Sequence, residues 1–420
     1  MSCEKNVDIS ILCAAYNHEK YIRKTLEGFL MQKGSFSYEI IVHDDASTDG
    51  TTDILKEYQR KYPDKIRLIL QTENQYSQKK KILFGFLFPE VRGKYIAVCE
   101  GDDEWIYEGK LQRQFHLMEE HPEVSLCLHN ALRIDERTGE SMLQVQNMDT
   151  GYQSDEEIIL CKYGSVPTAS FFLRTEYIKN LPKYFYEVPV GDEPLKHHCA
   201  LKGQIYYINE VWSIRNFMHD GSWNQRRQND EAYILDYYDK YAQYLWKYNR
   251  VSEKRFKKYI SEYQRTLFTL SLKKMVEKKN RIVVVEKFIE QKNKQYEQQY
   301  EDILDELEFA FFPKCIDYYD KVKQFIDQAK ERKGYIYIYG AGAIARQNAE
   351  KMLEWGYKLD GFVVSDMKDN EPVYMGHNVQ EIGNLLNEKQ DSYFWLCMNE
   401  SNKREARMLL KELGFTNVMY

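Results

Sequence analysis

The first hundred residues alternate short apolar runs with amphipathic stretches, and this pattern limits the fold more than any other feature. Runs at 8–14, 38–43, 66–70 and 95–99 have the length and composition of strands. Between the first two runs, Ile22, Leu26 and Phe29 recur at helical spacing. Strands that alternate with helices form βαβ units. The sequence therefore predicts an α/β domain with a mainly parallel sheet.

Polar side chains follow three of these runs at the point where each run ends. They are Tyr16 with Asn17, Asp44 with Asp45, and Glu100 with Asp102 and Asp103. Ligands of parallel sheets collect at the carboxyl ends of the strands, so we expect the three loops to form one active-site crevice. Carboxylates this close repel one another, and a divalent cation relieves the repulsion. For the carboxylates taken alone, a solvated acidic turn is the alternative.

Three segments carry a family resemblance: AAYNHEKYI at 14–22, DDASTDGT at 44–51 and EGDD at 100–103. In this order and at this spacing they resemble the family 2 glycosyltransferases, which have the GT-A fold. The resemblance covers about the first half of the chain. It implies a GT-A domain that binds a nucleotide-diphosphate sugar, commonly a UDP-sugar, together with Mn²⁺ or Mg²⁺.

The resemblance also implies roles for individual residues. Ala15, Tyr16 and Asn17 would line the nucleotide pocket, and Asp45, or its neighbour Asp44, would hydrogen-bond the base. Glu100, Gly101 and Asp102 stand where the family has Asp-x-Asp, with Asp102 as the direct metal ligand and Asp103 alongside. Glu100 departs from the family pattern, and its longer arm could reach the ribose or the metal.

A second acidic segment, VGDEPL at 190–195, suits the acceptor side of the reaction. The acceptor hydroxyl must lose a proton as it attacks, which requires a carboxylate base. The resemblance implies that Asp192 is this base, with Glu193 as the substitute. The same residues also suit a helix start in which Asp192 is the cap and Pro194 lies in the first turn.

The segment VWSIRNFMHDGSW at 211–223 resembles the end of the family's catalytic domain. There Arg215 would pair with phosphate, and His219 would be a metal ligand or a hydrogen-bond donor to the diphosphate. A solvated loop histidine is the alternative for His219.

The second half of the chain changes pattern. Glycine is absent between Gly221 and Gly334, which suits uninterrupted helices. GAGAIA at 340–345 then resembles the GxGxxA fingerprint of Rossmann folds, with Asp366 near the expected ribose-binding acid. We expect a GT-A domain at 1–224, a helical region at 225–332 and a small Rossmann-like domain at 333–420. For the last, a structural or partner-binding role is favoured over a bound nucleotide.

Composition excludes several classes of protein. The net charge of −6 argues against a nucleic-acid binder, and no apolar run approaches the roughly 20 residues of a membrane span. The eight cysteines form no CxxC pair, which favours reduced thiols in a cytoplasm. No signal peptide is visible at the N-terminus. We expect a cytoplasmic protein, and leave open a peripheral position at the inner face of the membrane and a homo-oligomer.

The leading hypothesis is a metal-dependent, inverting glycosyltransferase of surface-polysaccharide synthesis. Its hexosyl donor would be a nucleotide sugar and its acceptor a saccharide or a lipid-linked molecule. Two other classes stay open. One is an NAD-dependent sugar-nucleotide oxidoreductase built on Gly340 and Gly342, which leaves the carboxylates unexplained. The other is a non-catalytic binding or scaffold protein with a decayed transferase domain.

Overall fold

The computed structural model describes residues 7–219, 225, 230–279 and 281–419. The chain forms two compact units, Met1–Leu267 and Phe268–Tyr420, which are described separately. The division between them lies inside a helix. The three-part division expected from the sequence, at 1–224, 225–332 and 333–420, stays a prediction.

A mixed β-sheet organises the first unit. Its strands are β1 Ile9–Ala15, β2 Tyr38–Asp44, β3 Ile66–Leu70, β4 Tyr95–Glu100, β5 Glu104–Trp105, β6 Val124–Asp135, β7 Ser141–Leu143, β8 Gly151–Tyr152, β9 Phe172–Arg174 and β10 Gln204–Phe217. The order across the sheet is β3-β2-β1-β4-β9-β6-β10-β5, with β7 beside β6 and β8 beside β10. The α/β fold expected from the sequence is confirmed.

The sheet is parallel in one half and mixed in the other. Strands β1 to β4 pair in parallel, as the alternation of strands and helices predicted. Strand β9 then pairs antiparallel with both β4 and β6, while the long strands β6 and β10 run parallel to each other. Mixed sheets often carry such antiparallel strands at one side of a parallel core.

The helices of the first unit lie between these strands along the chain and continue beyond the last strand. They are α1 Ile22–Leu30, α2 Thr51–Lys61, α3 Lys110–Glu120, α4 Asp155–Leu160, α5 Asp192–Ala200, α6 Glu231–Val251 and α7 Lys257–Lys279, the last of which crosses the division between the units. The apolar positions of α1 that recur at helical spacing, Ile22, Leu26 and Phe29, are fully buried in the core against Trp105.

The segment between β3 and β4, where the alternation of strands and helices predicts a helix, takes another form. The segment before β4 contains a π-helical turn at Leu83–Leu87 and a 3₁₀ turn at Phe88–Glu90. Gly85 and Pro89 lie inside it, and both residue types disfavour a continuous α-helix. Further 3₁₀ turns lie at Thr168–Ser170, Thr175–Ile178 and Lys183–Tyr186.

The second unit holds helices and a smaller sheet. Its helices are α8 Ile282–Gln295, α9 Glu301–Phe311, α10 Tyr318–Glu331, α11 Ala343–Glu354 and α12 Glu400–Glu412, with 3₁₀ turns at Phe312–Lys314 and Ile382–Leu385. Its strands are β11 Tyr335–Tyr339, β12 Gly361–Val364, β13 Val373–Tyr374, β14 His377–Glu381, β15 Ser392–Leu396 and β16 Val418–Met419, in the order β13-β14-β12-β11-β15-β16. All strand pairs except β13 with β14 are parallel.

Candidate active site

The three polar loops expected to converge do lie side by side. Strand β1 is flanked by β2 and β4, and the parallel register pairs Ala15 with Asp44 and Ala14 with Glu100. The carboxyl ends of these strands are therefore level with one another. Gly101 permits the close approach, because a Cβ there would lie 2.8 Å from His18 Nδ1 and 3.1 Å from the Ala15 methyl group.

Hydrogen bonds tie the loop after β1 to the loop after β2. Asn17 has a positive φ of 56°, and its side-chain oxygen accepts a hydrogen bond from the Thr48 amide at 2.8 Å. Ser47 accepts from the Asn17 amide at 2.9 Å and donates to Asp44 at 2.5 Å. Asp44 also accepts from the Thr52 hydroxyl. Asn17 and Asp44 thus hold the loops in place.

Asp45 anchors a third loop. Its two carboxylate oxygens accept from the backbone amides of Gln75 and Tyr76, at 2.8 and 2.9 Å. The loop that follows β3 is thereby held at the crevice. The rings of Tyr16 and Tyr76 are 38% and 42% exposed. They give this side of the crevice two accessible aromatic surfaces.

Two histidines flank Asp102. Its Oδ2 lies 2.8 Å from His219 Nε2 and 3.9 Å from His18 Nε2, while its Oδ1 is buried and has no hydrogen-bond partner among the described residues. Burial raises the pKa of Asp102. The nearby His18 and the hydrogen bond from His219 lower this pKa by more, so the net shift is downward. Asp102 therefore stays ionised. The structure brings His219 and Asp102 together, as their assignment to one site predicted.

His18 is a site residue that the sequence reasoning missed. It lies in the same segment as Tyr16 and Asn17, directly after a strand end, and that position was the available signal. The Tyr21 ring packs near both histidine rings, with centroids 6.5 Å from His18 and 5.1 Å from His219. These contacts orient the imidazoles around the carboxylate.

The other two acids of the cluster behave differently from Asp102. Desolvation in the crevice is the largest cause that raises the pKa of Glu100 to about 8, and repulsion from Asp102 and Asp192 adds to it. The Glu100 side chain nevertheless keeps an exposed surface. Asp103 is buried, and desolvation raises its pKa well above the ordinary value. The Asn216 amide donates to Asp103 at 3.3 Å. Of these three acids, Asp102 is the one whose pKa is lowered, and its buried Oδ1 has no hydrogen-bond partner in the described part of the chain.

The acidic segment of α5 faces the same cluster. Repulsion from Asp192 contributes to the raised pKa of Glu100, so the two carboxylates lie within electrostatic reach of each other. Asp192 is the first residue of α5, and the capping position belongs to Gly191. The alternative that Asp192 caps the helix is therefore wrong.

Glu193 has another partner. It accepts a hydrogen bond from the Tyr241 hydroxyl and lies 3.8 Å from Cys161 Sγ. Burial raises the pKa of Glu193. This side chain is committed to the packing of α5 against α6.

Arg215 supplies positive charge from β10. Its attraction opposes the rise in the pKa of both Glu100 and Asp103, which places the guanidinium within electrostatic reach of both acids. The crevice thus combines one ionised carboxylate, two histidines, an arginine and a second acidic segment from a distant part of the chain.

Comparison with known proteins decides the family. Residues 10–180 match the model of "Glycosyl transferase family 2". The first unit contains a family 2 glycosyltransferase domain. An uncharacterised protein of Mycobacterium tuberculosis is 42% identical over 123 residues, which are 29% of this chain and 34% of that protein. The chain thus spans about a third of the length of this relative.

One further relative and one solved structure are similar to this chain. The Escherichia coli UDP-Glc:alpha-D-GlcNAc-diphosphoundecaprenol beta-1,3-glucosyltransferase WfaP is 34% identical over 111 residues, 26% of this chain and 41% of that protein. Among solved structures, residues 1–349 of S. aureus TarS superpose with a TM-score of 0.53 at 17% identity, covering 78% of this chain and 93% of that one. This likeness supports the fold.

The family 2 domain was expected to bind a divalent cation. Among the residues that the structure describes, no three His, Cys, Asp or Glu side chains are grouped as a metal site. The buried and unshared Oδ1 of Asp102 is nevertheless suited to a cation. Mg²⁺ typically takes one or two carboxylates and completes its shell with water and substrate phosphates, so Asp102 with its neighbours fits such an ion.

No helix among the described residues has the length and apolar character needed to cross a bilayer.

Proposed function

We propose that the chain is an inverting glycosyltransferase that moves a sugar from a UDP-sugar to a saccharide or lipid-linked acceptor in bacterial surface-polysaccharide synthesis. The observation that carries the proposal is that Asp192 lies within electrostatic reach of the acidic cluster around Asp102, in the unit that contains the family 2 match at residues 10–180. WfaP, by its name, uses UDP-Glc and a diphosphoundecaprenol acceptor. TarS was crystallised in complex with UDP-GlcNAc. Both support a UDP-sugar as the donor.

On the donor side, the nucleotide would lie over the loops after β1, β2 and β3. Ala15, Tyr16 and Asn17 would line this part of the crevice, and the exposed Tyr16 ring offers a stacking surface for the base. Asp44 and Asp45 already accept hydrogen bonds from the protein. A contact to the base would use the remaining lone pairs of one of these carboxylates.

Asp102 would hold the divalent cation, Mn²⁺ or Mg²⁺, with Glu100, Gly101 and Asp103 shaping its surroundings. When bound, such an ion supplies electrostatic stabilisation to the departing diphosphate. Arg215 and His219 would donate to diphosphate oxygens, which fits the contact of His219 with Asp102 and the attraction between Arg215 and Glu100. His219 as a direct metal ligand is the alternative assignment.

On the acceptor side, Asp192 would take the proton of the attacking hydroxyl group. The hydroxyl oxygen forms a bond to the anomeric carbon as the bond from that carbon to the diphosphate oxygen breaks. The proton passes to a carboxylate oxygen of Asp192. Attack opposite the leaving group inverts the anomeric configuration. Glu193 is unsuited to this role because Tyr241 and Cys161 already contact its carboxylate.

The test compares Asp192→Asn with Glu193→Gln, a matched change one residue away on the same helix. Loss of a general base costs about 10²- to 10⁴-fold in kcat. We expect this loss for Asp192→Asn with unchanged affinity for the donor, and a much smaller loss for Glu193→Gln. Asp102→Ala should weaken donor binding in the presence of Mn²⁺. Retained turnover in Asp192→Asn would remove Asp192 as the base.

The location and assembly of the protein follow from the proposed substrates. Nucleotide sugars are cytoplasmic, so the donor would be met in the cytoplasm, and a lipid-linked acceptor would be met at the inner face of the membrane. Peripheral association with that surface is part of the proposal. Sedimentation of the protein with vesicles of anionic lipid tests it, and light scattering tests whether the chain forms a homo-oligomer.

A further inference from the structure

The second unit contains a cavity of about 450 Å³ at the carboxyl ends of its parallel strands. Small-molecule sites in proteins typically have volumes of about 300–1,000 Å³. The lining comes from the loops that follow β11, β12 and β15 and from the first turns of α11 and α12, and it includes Gly342, Ile344, Ser365, Met398, Asn402 and Glu405. The cavity thus joins three strand ends and the starts of two helices.

The cavity lies at the point where the strand order of this sheet reverses. From β11 the chain moves to β12 and β14 on one side, and then crosses to β15 on the other side of β11. The loops after β11 and β15 therefore diverge and leave a crevice between them. In open α/β sheets, ligands bind in this crevice.

The loop after β11 is built to leave the cavity open. Gly340 has a φ of +115°, and a Cβ there would lie 3.0 Å from the Cys397 carbonyl oxygen, so this position requires glycine. Gly342 differs. Its φ of −96° and ψ of −171° suit any residue, and a Cβ there would have no atom within 4 Å. Glycine at 342 therefore leaves space that the fold itself does not need.

Gly342 occupies the capping position of α11 without a side chain to cap it. Asp, Ser or Asn at this position would satisfy one of the first amides of the helix and stabilise the helix by a few tenths of a kcal/mol relative to glycine. Within the described residues, no acceptor takes up the backbone amides of 341–345. By contrast, Asn399 caps α12 by accepting from the Asn402 amide at 2.9 Å.

We propose that this cavity binds the diphosphate of a nucleotide, with its oxygens accepting from the uncapped amides at the start of α11. Helix N-termini favour anions because these amides and the helix dipole both point toward them. Ile344 and Met398 give apolar surface for a base, and the carboxylate of Glu405 can accept from ribose hydroxyls. The cavity is a second site, separate from the crevice of the first unit.

This inference changes two expectations drawn from the sequence. A structural or partner-binding role was favoured for the second unit over a bound nucleotide, and the cavity now favours the nucleotide. Asp366 was expected near the ribose, but Ser365 lines the cavity instead. The Asp366 carboxylate accepts from the Lys368 amide in its own turn at 3.0 Å. No hydride chemistry is part of the proposal.

Hydrogen-exchange mass spectrometry of the full chain tests the proposal, because it reads each site locally. The probes are UDP, ADP, NAD and inorganic phosphate. We expect at least one of the three nucleotides to slow exchange in peptides that cover 341–345. Protection confined to peptides of the first crevice, around 15–17, 44–47 and 100–103, supports the transferase proposal and overturns this one. Protection confined to 341–345 supports the nucleotide site of the second unit and counts against the transferase proposal. Protection by phosphate alone also overturns the nucleotide assignment.

A pair of substitutions at Gly342 distinguishes the effect of an added negative charge from an effect on folding stability. Gly342→Asp places a carboxylate where the diphosphate would lie, and Gly342→Asn is its uncharged match with similar capping ability. Because the backbone and the open space accept either residue, both variants should melt at or above the temperature of the unaltered protein. For the nucleotide that protects 341–345, we expect affinity to fall at least tenfold more in Gly342→Asp than in Gly342→Asn. Equal loss in both, or none in either, overturns the diphosphate site.

Discussion

Replacement of Lys110 by methionine should stabilise the first unit near neutral pH, although it removes a hydrogen bond. Lys110 is the first residue of α3 and is fully buried. Its ammonium nitrogen lies 3.8 Å from the centre of the Trp105 ring and donates to the Gln114 side chain at 2.8 Å. Burial lowers the pKa of Lys110 from 10.5 to about 7. The folded state therefore resists protonation at this position.

The magnitude follows from linkage between protonation and folding. Each pKa unit corresponds to about 1.4 kcal/mol, so the cost of holding Lys110 charged in the folded protein is about 5 kcal/mol below pH 7. Between about pH 7 and 10.5 the unfolded chain binds this proton and the folded protein does not. The contribution of Lys110 to stability therefore improves as the pH rises, and the cost disappears above about pH 10.5.

Methionine has a similar length and no charge, so Lys110→Met removes this cost. It also leaves the Gln114 carbonyl without its donor, at about 1–3 kcal/mol. We expect a net gain of roughly 2–4 kcal/mol at pH 6, from these two terms. The gain should shrink through pH 8 to 9 and become a loss of about 1–3 kcal/mol near pH 10.5, where only the lost hydrogen bond counts.

The assay is urea-dependent hydrogen exchange of peptides from β4 and β6, which report the opening of the first unit. Both proteins are compared at the same pH, so the intrinsic exchange rates cancel. Lys110→Gln, which keeps a donor for Gln114 without a titrating charge, is the control; it should show the same pH dependence as the methionine variant and lack the loss near pH 10.5. A difference from the unaltered protein that does not vary between pH 6 and 10 would refute the argument from desolvation.

Two further predictions concern loops and backbone. Asp45→Ala removes two hydrogen bonds from backbone amides, so exchange at Gln75 and Tyr76 should become at least tenfold faster, and mass spectrometry of that peptide measures it. Unchanged exchange would show that Asp45 does not hold the loop. Gly340→Ala should destabilise the second unit by about 1–3 kcal/mol because of its positive φ, whereas Gly342→Asn, at a negative φ and with open space around it, should be neutral or slightly stabilising. Thermal unfolding of the two variants measures this difference in stability. Equal melting temperatures would contradict the assignment of backbone strain to Gly340.

Much of the fold was accessible from local patterns. The strands predicted at 8–14, 38–43, 66–70 and 95–99 agree with β1 to β4 to within one residue at each end. Their parallel arrangement followed from the intervening helices. The convergence of the loops carrying Tyr16, Asp44 and Asp102 followed from the same rule, since parallel strands end at one edge of the sheet. The motifs at these ends led to the family, and the family model confirms it.

Other features depend on partners that are distant along the chain. The pairing of Asp102 with His219 joins residues more than a hundred positions apart, and the motif alone did not reveal that His18 completes the group. A lysine at the start of a helix, such as Lys110, is normally expected at the surface. Lys110 is instead buried because its side chain packs against the Trp105 ring. The pKa values of such groups depend on burial and on neighbouring charges, which no local pattern encodes.

The sequence alone determined the order of strands and helices, the residue types at the strand ends and the resemblance to the family, because these depend on periodicity and short-range chemistry. Only the tertiary structure decided which acid stays ionised, which one is committed to Tyr241, and that Gly340 and Gly342 border a cavity. These properties arise from desolvation, charge and open volume, and all three are created when distant segments pack together.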